Sequence, residues 1–599
     1  MKNKYFSCYV MVIVVFMVAE TTFAQLFTKV TTGPVVTYAG STWGGAWGDY
    51  DNDGDLDLFV TNAFNRSNHL YTNEGDGSFT KIREGDIASL TSDSFGAVWA
   101  DLDNDGDLDM FVANGGVTGK STDFHLLNNG EPDFTFSLLT DGGLGVHYAS
   151  SHNSCLGDFN GDGYLDVFVA NDFGEENFLF TNNRNGGFTR VNGGAITATT
   201  LNTKSAHWVD YDDDEDLDLF IVNYDEDNVL YEHVGRGNFK VTSGAMPEDK
   251  LASSMGASWG DFDNDGDQDV FIANAEQEKN LLYKNNGNGT FSNVVTGPIV
   301  SDDGSSQGSG WADFDNDGDL DLFVANSDRK NVLYENIGDG NFTRVASWPP
   351  DTEPVRSSGL AWGDIDNDGD LDLFVANPFA KNSLYINNAE SKANHWVNIN
   401  CTGVFSNRSA IGTKIRINAT INGKSVWQYR EITSISGAYG QNSLKVHFGL
   451  GDARVIDKIR IEWPSGLADA YDNVSVNKFY RAVEDKNLIE DTKTILAVSN
   501  GKKEASAKGF RLAQNHPNPF NPTTTISYSV NRHGNVSLRV YDILGREIRT
   551  LVDKTQRAGF HSVVWDGQNN SGEPVASGHY FYRIRAGDFH FVRKMVLLK

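Results

Sequence analysis

Between Trp311 and Asn326 the chain reads WADFDNDGDLDLFVAN, five aspartates in nine residues followed at once by an apolar run, and Trp362 to Asn377 repeats it almost letter for letter. The acidic motif occurs seven times, its first aspartate at Asp49, Asp101, Asp158, Asp210, Asp261, Asp313 and Asp364, at intervals of 52, 57, 52, 51, 52 and 51 residues. A unit of that size cannot bury an apolar face alone, so a near-constant period demands a stack or ring of copies. Each unit reads as four short strands. SFGAVWADLD and DLDMFVAN flank the acidic loop of the second unit. A third element recurs as NHLYTN, NVLYEH, NLLYKN and NVLYEN, and a Gly-rich turn leads to a fourth such as GDGSFTKI or GDGNFTRV. Aromatic and β-branched runs between Gly/Asn turns, without a sustained helical period, describe the blades of a β-propeller.

The last unit stops at NSLYINNAE, ending at Glu390, without its fourth strand, while QLFTKV at Gln25 to Val30 matches the missing sequence. A ring that borrows this strand hides both sheet edges; an open array would expose them. The expected fold is therefore all-β, opening with a closed seven-bladed propeller over residues 25–390.

Within each loop, carboxylates fall at positions 1, 3, 5 and 9, and glycine at position 6 permits the turn through which the position-7 carbonyl joins them. Six or seven oxygens converging on one point suit Ca²⁺, whereas the same carboxylates without a cation repel one another. The expected metal-site residues are Asp49, Asp51, Asp53, Asp55 and Asp57; Asp101, Asp103, Asp105, Asp107 and Asp109; and Asp158, Asn160, Asp162, Tyr164 and Asp166. The later repeats add Asp210, Asp212, Asp214, Asp216 and Asp218; Asp261, Asp263, Asp265, Asp267 and Asp269; Asp313, Asp315, Asp317, Asp319 and Asp321; and Asp364, Asp366, Asp368, Asp370 and Asp372. Up to seven Ca²⁺ ions are expected, as staples of the fold. An EF-hand is excluded because position 12 is apolar (Val60, Val112, Val324) and the flanks are strands. Magnesium prefers fewer protein ligands. Zinc lacks its ligands, since His69, His125, His152 and His207 share no register with the cysteines. Asn160 removes one charge from the third loop, and Glu215 stands where the fourth needs glycine, so the fourth loop is expected to be strained. The pattern resembles the calcium loops of FG-GAP or VCBS repeats, a resemblance covering all seven units.

From Asn394 a different β-rich segment begins. Asn407-Arg408-Ser409-Ala410-Ile411-Gly412, Arg430-Glu431, His447-Phe448-Gly449-Leu450-Gly451 and Trp463-Pro464-Ser465-Gly466 resemble the ASPIC/UnbV domain that follows FG-GAP propellers in proteins similar to cartilage acidic protein. The expected span is 394–485. Arg408, Gln428, Arg430 and Glu431 offer a polar site, but strand-to-strand hydrogen bonds and a surface pair are the plainer expectation. Residues 486–509 read as a polar linker. Over 510–599, Asn518-Pro519-Phe520-Asn521-Pro522, Tyr541-Asp542 with Gly545, Trp565-Asp566-Gly567 and Ser577-Gly578-His579-Tyr580 resemble the type A C-terminal sorting domain of the type IX secretion system, an Ig-like β-sandwich. That resemblance implies a Bacteroidetes-like source, docking to the secretion machinery, and passage across the outer membrane.

Charge agrees with two different roles. Residues 25–390 carry 18 Lys and Arg against 63 Asp and Glu, whereas residues 511–599 carry 12 against 6. The acidic block argues against nucleic acid or anionic membrane as partner. Lys2 and Lys4 before the apolar run Cys8 to Ala19, with TTFA ending at Ala24, read as a cleaved secretory signal over 1–24, and no later stretch is apolar and long enough to span a bilayer. Cys155 and Cys401 are expected as buried free thiols, a single disulfide being the alternative.

Two functions compete. The first is a secreted or surface-attached binding module for an extracellular protein or glycan, with no catalytic residues. The second is a carbohydrate-active enzyme, a polysaccharide lyase or hydrolase, whose site would lie in the one sizeable insertion, Thr118 to His152, with His147 and His152 as its candidates.

Overall fold

The computed structural model describes residues 26–491 and 511–597, apart from 116–118, 133, 141–142, 185, 236, 248–250, 347–355, 389–393, 492–510, 513–519, 521, 531–533, 543–545, 557–558 and 587–588. The candidate signal segment and most of the linker lie outside the described residues. Three four-residue helices, Pro34–Thr37, Asp86–Ser89 and Pro298–Ser301, are the only helices among them; the rest of the regular structure is strand.

Seven sheets share one four-strand antiparallel order. In the second, Ser94–Ala100, Asp109–Asn114, Phe124–Asn128 and Phe136–Leu138 pair in sequence. The first strand of each sheet packs on that of the next, and Leu360–Gly363 of the seventh packs back on Ala39–Gly48 of the first, so the sheets form a closed ring. The seventh sheet receives its outer strand from the other end of the repeat array: Phe27–Lys29 pairs with Ser383–Asn387, Phe27 opposite Asn387. Phe27 is fully buried against Phe314 and Trp362.

A tryptophan near the end of the first strand wedges adjacent sheets together. The indole N–H groups of Trp47, Trp99, Trp311 and Trp362 donate to Ala361, Ala46, Ser258 and Gly310, each a carbonyl of the preceding sheet. The stretch expected as an insertion, 118–152, instead supplies the third and fourth strands of the second sheet and a short ribbon in which Ser121–Thr122 pairs with Tyr148–Ala149. Cys155 and Cys401 are buried free thiols.

The second domain is a pair of four-stranded sheets, one built on His395–Thr402 and the other on Lys414–Ile421, closed over Val397, Ile399, Ile415, Ile417, Ile459, Ile461 and Trp463. Ile489–Glu490 pairs with Tyr480 and Arg481, so this domain runs past the expected boundary at 485. Between its strands Lys424–Glu431 and Val446–Gly451, the segment 434–443 enters the centre of the propeller ring. Gly440 and Gln441 pair in parallel with Gly45 and Ala46. The Gln441 side chain accepts from the Trp99 N–H at 2.7 Å and donates to the Trp99 carbonyl at 3.0 Å, as a neighbouring strand would. Ser434 makes the same two-way contact with Leu156, and Asn442 and Ser443 bond the backbone of Trp362. These contacts satisfy backbone groups on the inner strands that otherwise face a channel.

Glycine makes the insertion possible. A Cβ on Gly440 would lie 1.9 Å from the Leu360 carbonyl oxygen, and one on Gly437 would lie 2.1 Å from that of Ser309. The C-terminal domain is a sandwich of a three-stranded and a four-stranded sheet, with Trp565, Tyr582, Ile584 and Leu597 in its core.

Because backbone on both sides leaves no room at Gly440, Gly440→Val is expected to destabilise the propeller by about 1–3 kcal/mol through overpacking. Thermal unfolding followed by near-UV circular dichroism, compared with the parent protein, checks this.

Candidate metal centre

Each acidic loop joins the first two strands of its sheet and is wound by its own side chains. In the first loop Asp49 accepts from the N–H groups of Asp53 and Gly54, both at 3.0 Å, and Asp53 accepts from Asp55 at 3.1 Å. Asp57 ties the loop to the sheet, accepting from Tyr50 at 3.2 Å and from Asn73 on the third strand at 2.8 Å. The sixth loop repeats the pattern through Asp313, Asp317 and Asp321. Position 6 holds φ near 100° in the glycines Gly54, Gly106 and Gly318, while Glu215 takes φ 74°, a left-handed conformation costly for a side-chain-bearing residue.

The loops bring together carboxylates at positions 1, 3 and 5 or 9. Oxygens of Asp49, Asp51 and Asp53 lie within 4.8 Å of one another, as do those of Asp101, Asp103 and Asp109; of Asp210, Asp212 and Asp218; of Asp261, Asp263 and Asp265; and of Asp313, Asp315 and Asp321. The set fits a hard divalent cation: it is all oxygen, and buried oxygens of Asp218 and Asp263 have no hydrogen-bond partner. In the third loop Asn160 donates to Asp166 at 2.9 Å, and Arg184 pairs with Asp162, so this loop is partly closed by its own groups. In the fifth, Lys284 pairs with Asp263 and Asp265. The position-7 side chains bond to the neighbouring loop: Asp107, Asp319, Asp370 and Asp55 accept from Asn52, Asn264, Asn316 and Asn367.

Those position-4 asparagines link the loops edge to edge. A second set, at the end of the third strand, does the same one layer deeper: Asn73, Asn128, Asn182, Asn285, Asn336 and Asn387 each donate to a carbonyl of the preceding loop, at Ile365, Tyr50, Leu102, Tyr211, Phe262 and Phe314. His233 stands at this place in the fourth sheet and turns instead to its own Gly237. The terminal Asn of NHLYTN and its copies was the visible signal for this role.

The second domain covers the loop face with cations. Lys414, nearly buried, reaches Asp210 at 2.6 Å and also Asp213; Arg416 bonds the Gly266 carbonyl at 2.9 Å and Asp213 at 3.4 Å. Arg416 thereby bridges the fourth and fifth loops where Asp213 replaces the linking asparagine. Arg408 lies 3.7 Å from Asp101, and Lys445 donates to the Gly54 carbonyl at 2.7 Å, close enough to Asp49 and Asp364 to act on both. Arg430 is half-buried and close enough to Asp313 and Asp261 to act on both, and its guanidinium sits over Phe448. Gln428 donates to the Gly449 carbonyl, and Glu431 accepts from Gln268 of the fifth loop. Arg408, Arg430 and Glu431, read in sequence as a strand-bonded or surface set, are therefore interface residues.

Matches to known families follow this anatomy. The FG-GAP-like repeat model matches residues 49–112, 158–221, 210–272, 261–324 and 313–375, and the ASPIC and UnbV model matches 403–488. The chain joins FG-GAP-like repeats to an ASPIC and UnbV domain. The FlgD Ig-like domain model matches 523–588. Cartilage acidic protein 1 of Mus musculus is 26% identical over 317 residues, covering 47% of this chain and 48% of that protein. The Homo sapiens protein is likewise 26% identical over 317 residues. The chain thus spans about half the length of the curated relatives it matches. Among solved structures, BBS1N in complex with ARL6DN aligns with TM-score 0.39 and 11% identity, over 61% of this chain and 98% of that one.

Burial, foremost, raises the carboxyl groups of the FG-GAP loops: Asp49, Asp101 and Asp261 to about 7, and Asp166, Asp218 and Asp364 to about 8. Without divalent cations the folded state therefore binds more protons than the unfolded chain above pH 4. Stability from these groups is fully present below that pH and is lost as pH rises to about 8. With chelator, the melting temperature is expected to be lower at pH 8 than at pH 5, and a saturating divalent cation should remove the difference. Lys414→Met, which strands Asp210, is expected to cost about 2–4 kcal/mol, read by chemical unfolding.

Proposed function

We propose that this protein is an extracellular, calcium-stabilised binding module, delivered through a type IX secretion route to the surface or surroundings of a Bacteroidetes-like bacterium, where its free propeller face meets a protein or glycan. The observation that carries the reading is the inequality of the two faces. The acidic loops, which join first to second strands, lie under the ASPIC and UnbV domain. The loops joining second to third strands lie at the opposite end, and there Phe64, Phe173 and Phe379 are 38%, 63% and 59% exposed at φ 60°, 57° and 68°. Bulky residues held at positive φ and left in water are unfavourable twice over, a pattern characteristic of recognition surfaces. Phe64 and Phe379 adjoin at 5.4 Å, Arg356 lies over Phe379, and Lys204 lies near both Phe173 and Tyr224.

Calcium is supported by charge. Thirty-four aspartates occupy the seven motifs, against five cations that the second domain brings to them, namely Arg408, Lys414, Arg416, Arg430 and Lys445. The protein's own groups leave most of that charge for metal. Type IX export is supported by the resemblance over 510–599 and by the reversed charge of that domain.

The two histidines of the enzyme reading are both packed among aromatic rings. His152 is buried, stacked on Phe95 at 4.6 Å, and hydrogen bonded to Tyr439 of the inserted segment, while His147 packs on Phe178 and Phe180.

Calcium at 100 times its dissociation constant is expected to stabilise the propeller by about 2.7 kcal/mol per site, and EGTA to reverse this, both read by calorimetry. Phe64→Ala/Phe379→Ala should lose capture of surface glycans or proteins while keeping the calcium-dependent melting temperature. Retained capture, or turnover of a captured polysaccharide, overturns the reading.

A further inference from the structure

A cavity of about 550 Å³ opens beside Phe64, in the outer part of the first sheet. Its walls include Arg66, Lys81 and Arg83, three of only 18 basic residues in the whole propeller sequence, together with Tyr38, His69 and Ser67. None of the three cations has an ion-pair partner among the described residues. Asp93, next to the strand partner of Arg66, accepts from the Asn65 N–H at 3.0 Å. In a chain of net charge −32 these three cations are grouped around one cavity. Burial and then Arg83 hold the Lys81 ammonium below the usual lysine range, and burial with both cations lowers His69 to about 3, so the imidazole stays neutral and adds no charge.

The aromatic wall is built in place. Tyr38 lies over Gly40, where a Cβ would come within 2.0 Å of the ring; His69 meets the same ring edge-on at 4.3 Å, and the Lys81 ammonium lies 5.8 Å from its centre. Grouped cations, a fixed aromatic face and a hydroxyl in a cavity of this volume match what a ligand of sugar size with an acidic substituent requires. A bare polyanion would be repelled by the rest of the molecule, so the ligand must be recognised locally.

We infer that this cavity is a subsite for an anionic saccharide unit, a uronate or sulfated sugar, with Arg66, Lys81 and Arg83 holding the acidic group and Tyr38 stacking on the ring. The inference rests on the binding-module reading and names the ligand class of one site on the free face.

The test uses the full chain with calcium present and four probes: polygalacturonate, dextran sulfate, neutral dextran and inorganic sulfate. The expected result is measurable binding of at least one of the first two, none of neutral dextran, and at least tenfold weaker binding in both Arg66→Ala/Lys81→Ala/Arg83→Ala and Tyr38→Ala. Thermal melting should match the parent in both variants. Binding of inorganic sulfate as tightly as either polymer would show an anion site without saccharide recognition and overturn the inference. So would binding that survives the triple substitution. If the triple variant keeps all capture while Phe64→Ala/Phe379→Ala loses it, the binding module stands and this subsite falls.

Discussion

The structure depends on gathering negative charge and then neutralising it. Seven loops place aspartates on one face of a ring, where burial already forces protons onto Asp49, Asp101 and Asp364 in the absence of another cation. Three kinds of positive partner converge on this face: backbone N–H groups within each loop, amide links between loops, and the basic side chains of the second domain. The third kind explains why the domains are packed rather than strung together. Lys414, Arg416, Arg430 and Lys445 act as counterions of the propeller, and the domain that carries them shares one continuous apolar cluster with propeller residues such as Leu102, Leu165 and Phe180.

The interdomain contact is also polar in an ordered way at the ring's centre. Ser434, Gln441 and Asn442 imitate strand neighbours, so the inserted segment completes hydrogen bonding that the inner strands leave open. Glycine stands at 437 and 440 because a larger residue would meet the Ser309 and Leu360 backbone. At the other end of the strands Phe173 and Phe379 stand exposed.

Much of this was legible from residues alone. The period, the four-strand unit and the borrowed strand at Phe27 follow from local pattern, because alternation and turn residues act within a few positions. The acidic clusters were legible for the same reason, and Glu215 is strained at φ 74° as its side chain dictates. Arg430 and Lys414 were not legible, since their partners lie more than a hundred residues away and no local rule connects them. The packing of His152 was not legible because the group it bonds, Tyr439, belongs to another domain. The stretch 118–152 was read as an insertion because its spacing is longer, although its strands keep the ordinary pairing.

The pairing of Phe27–Lys29 with Ser383–Asn387 has a consequence in time. Its sequence separation is most of the propeller, so the loop closed by that contact is among the longest the chain makes, and contacts of this kind slow folding. Until the seventh sheet exists, the strand that completes it has no partner, and the open edges of the array remain available to other chains. Closure of the native ring is therefore a late step in folding, since it waits on the pairing of the chain's most distant propeller strands.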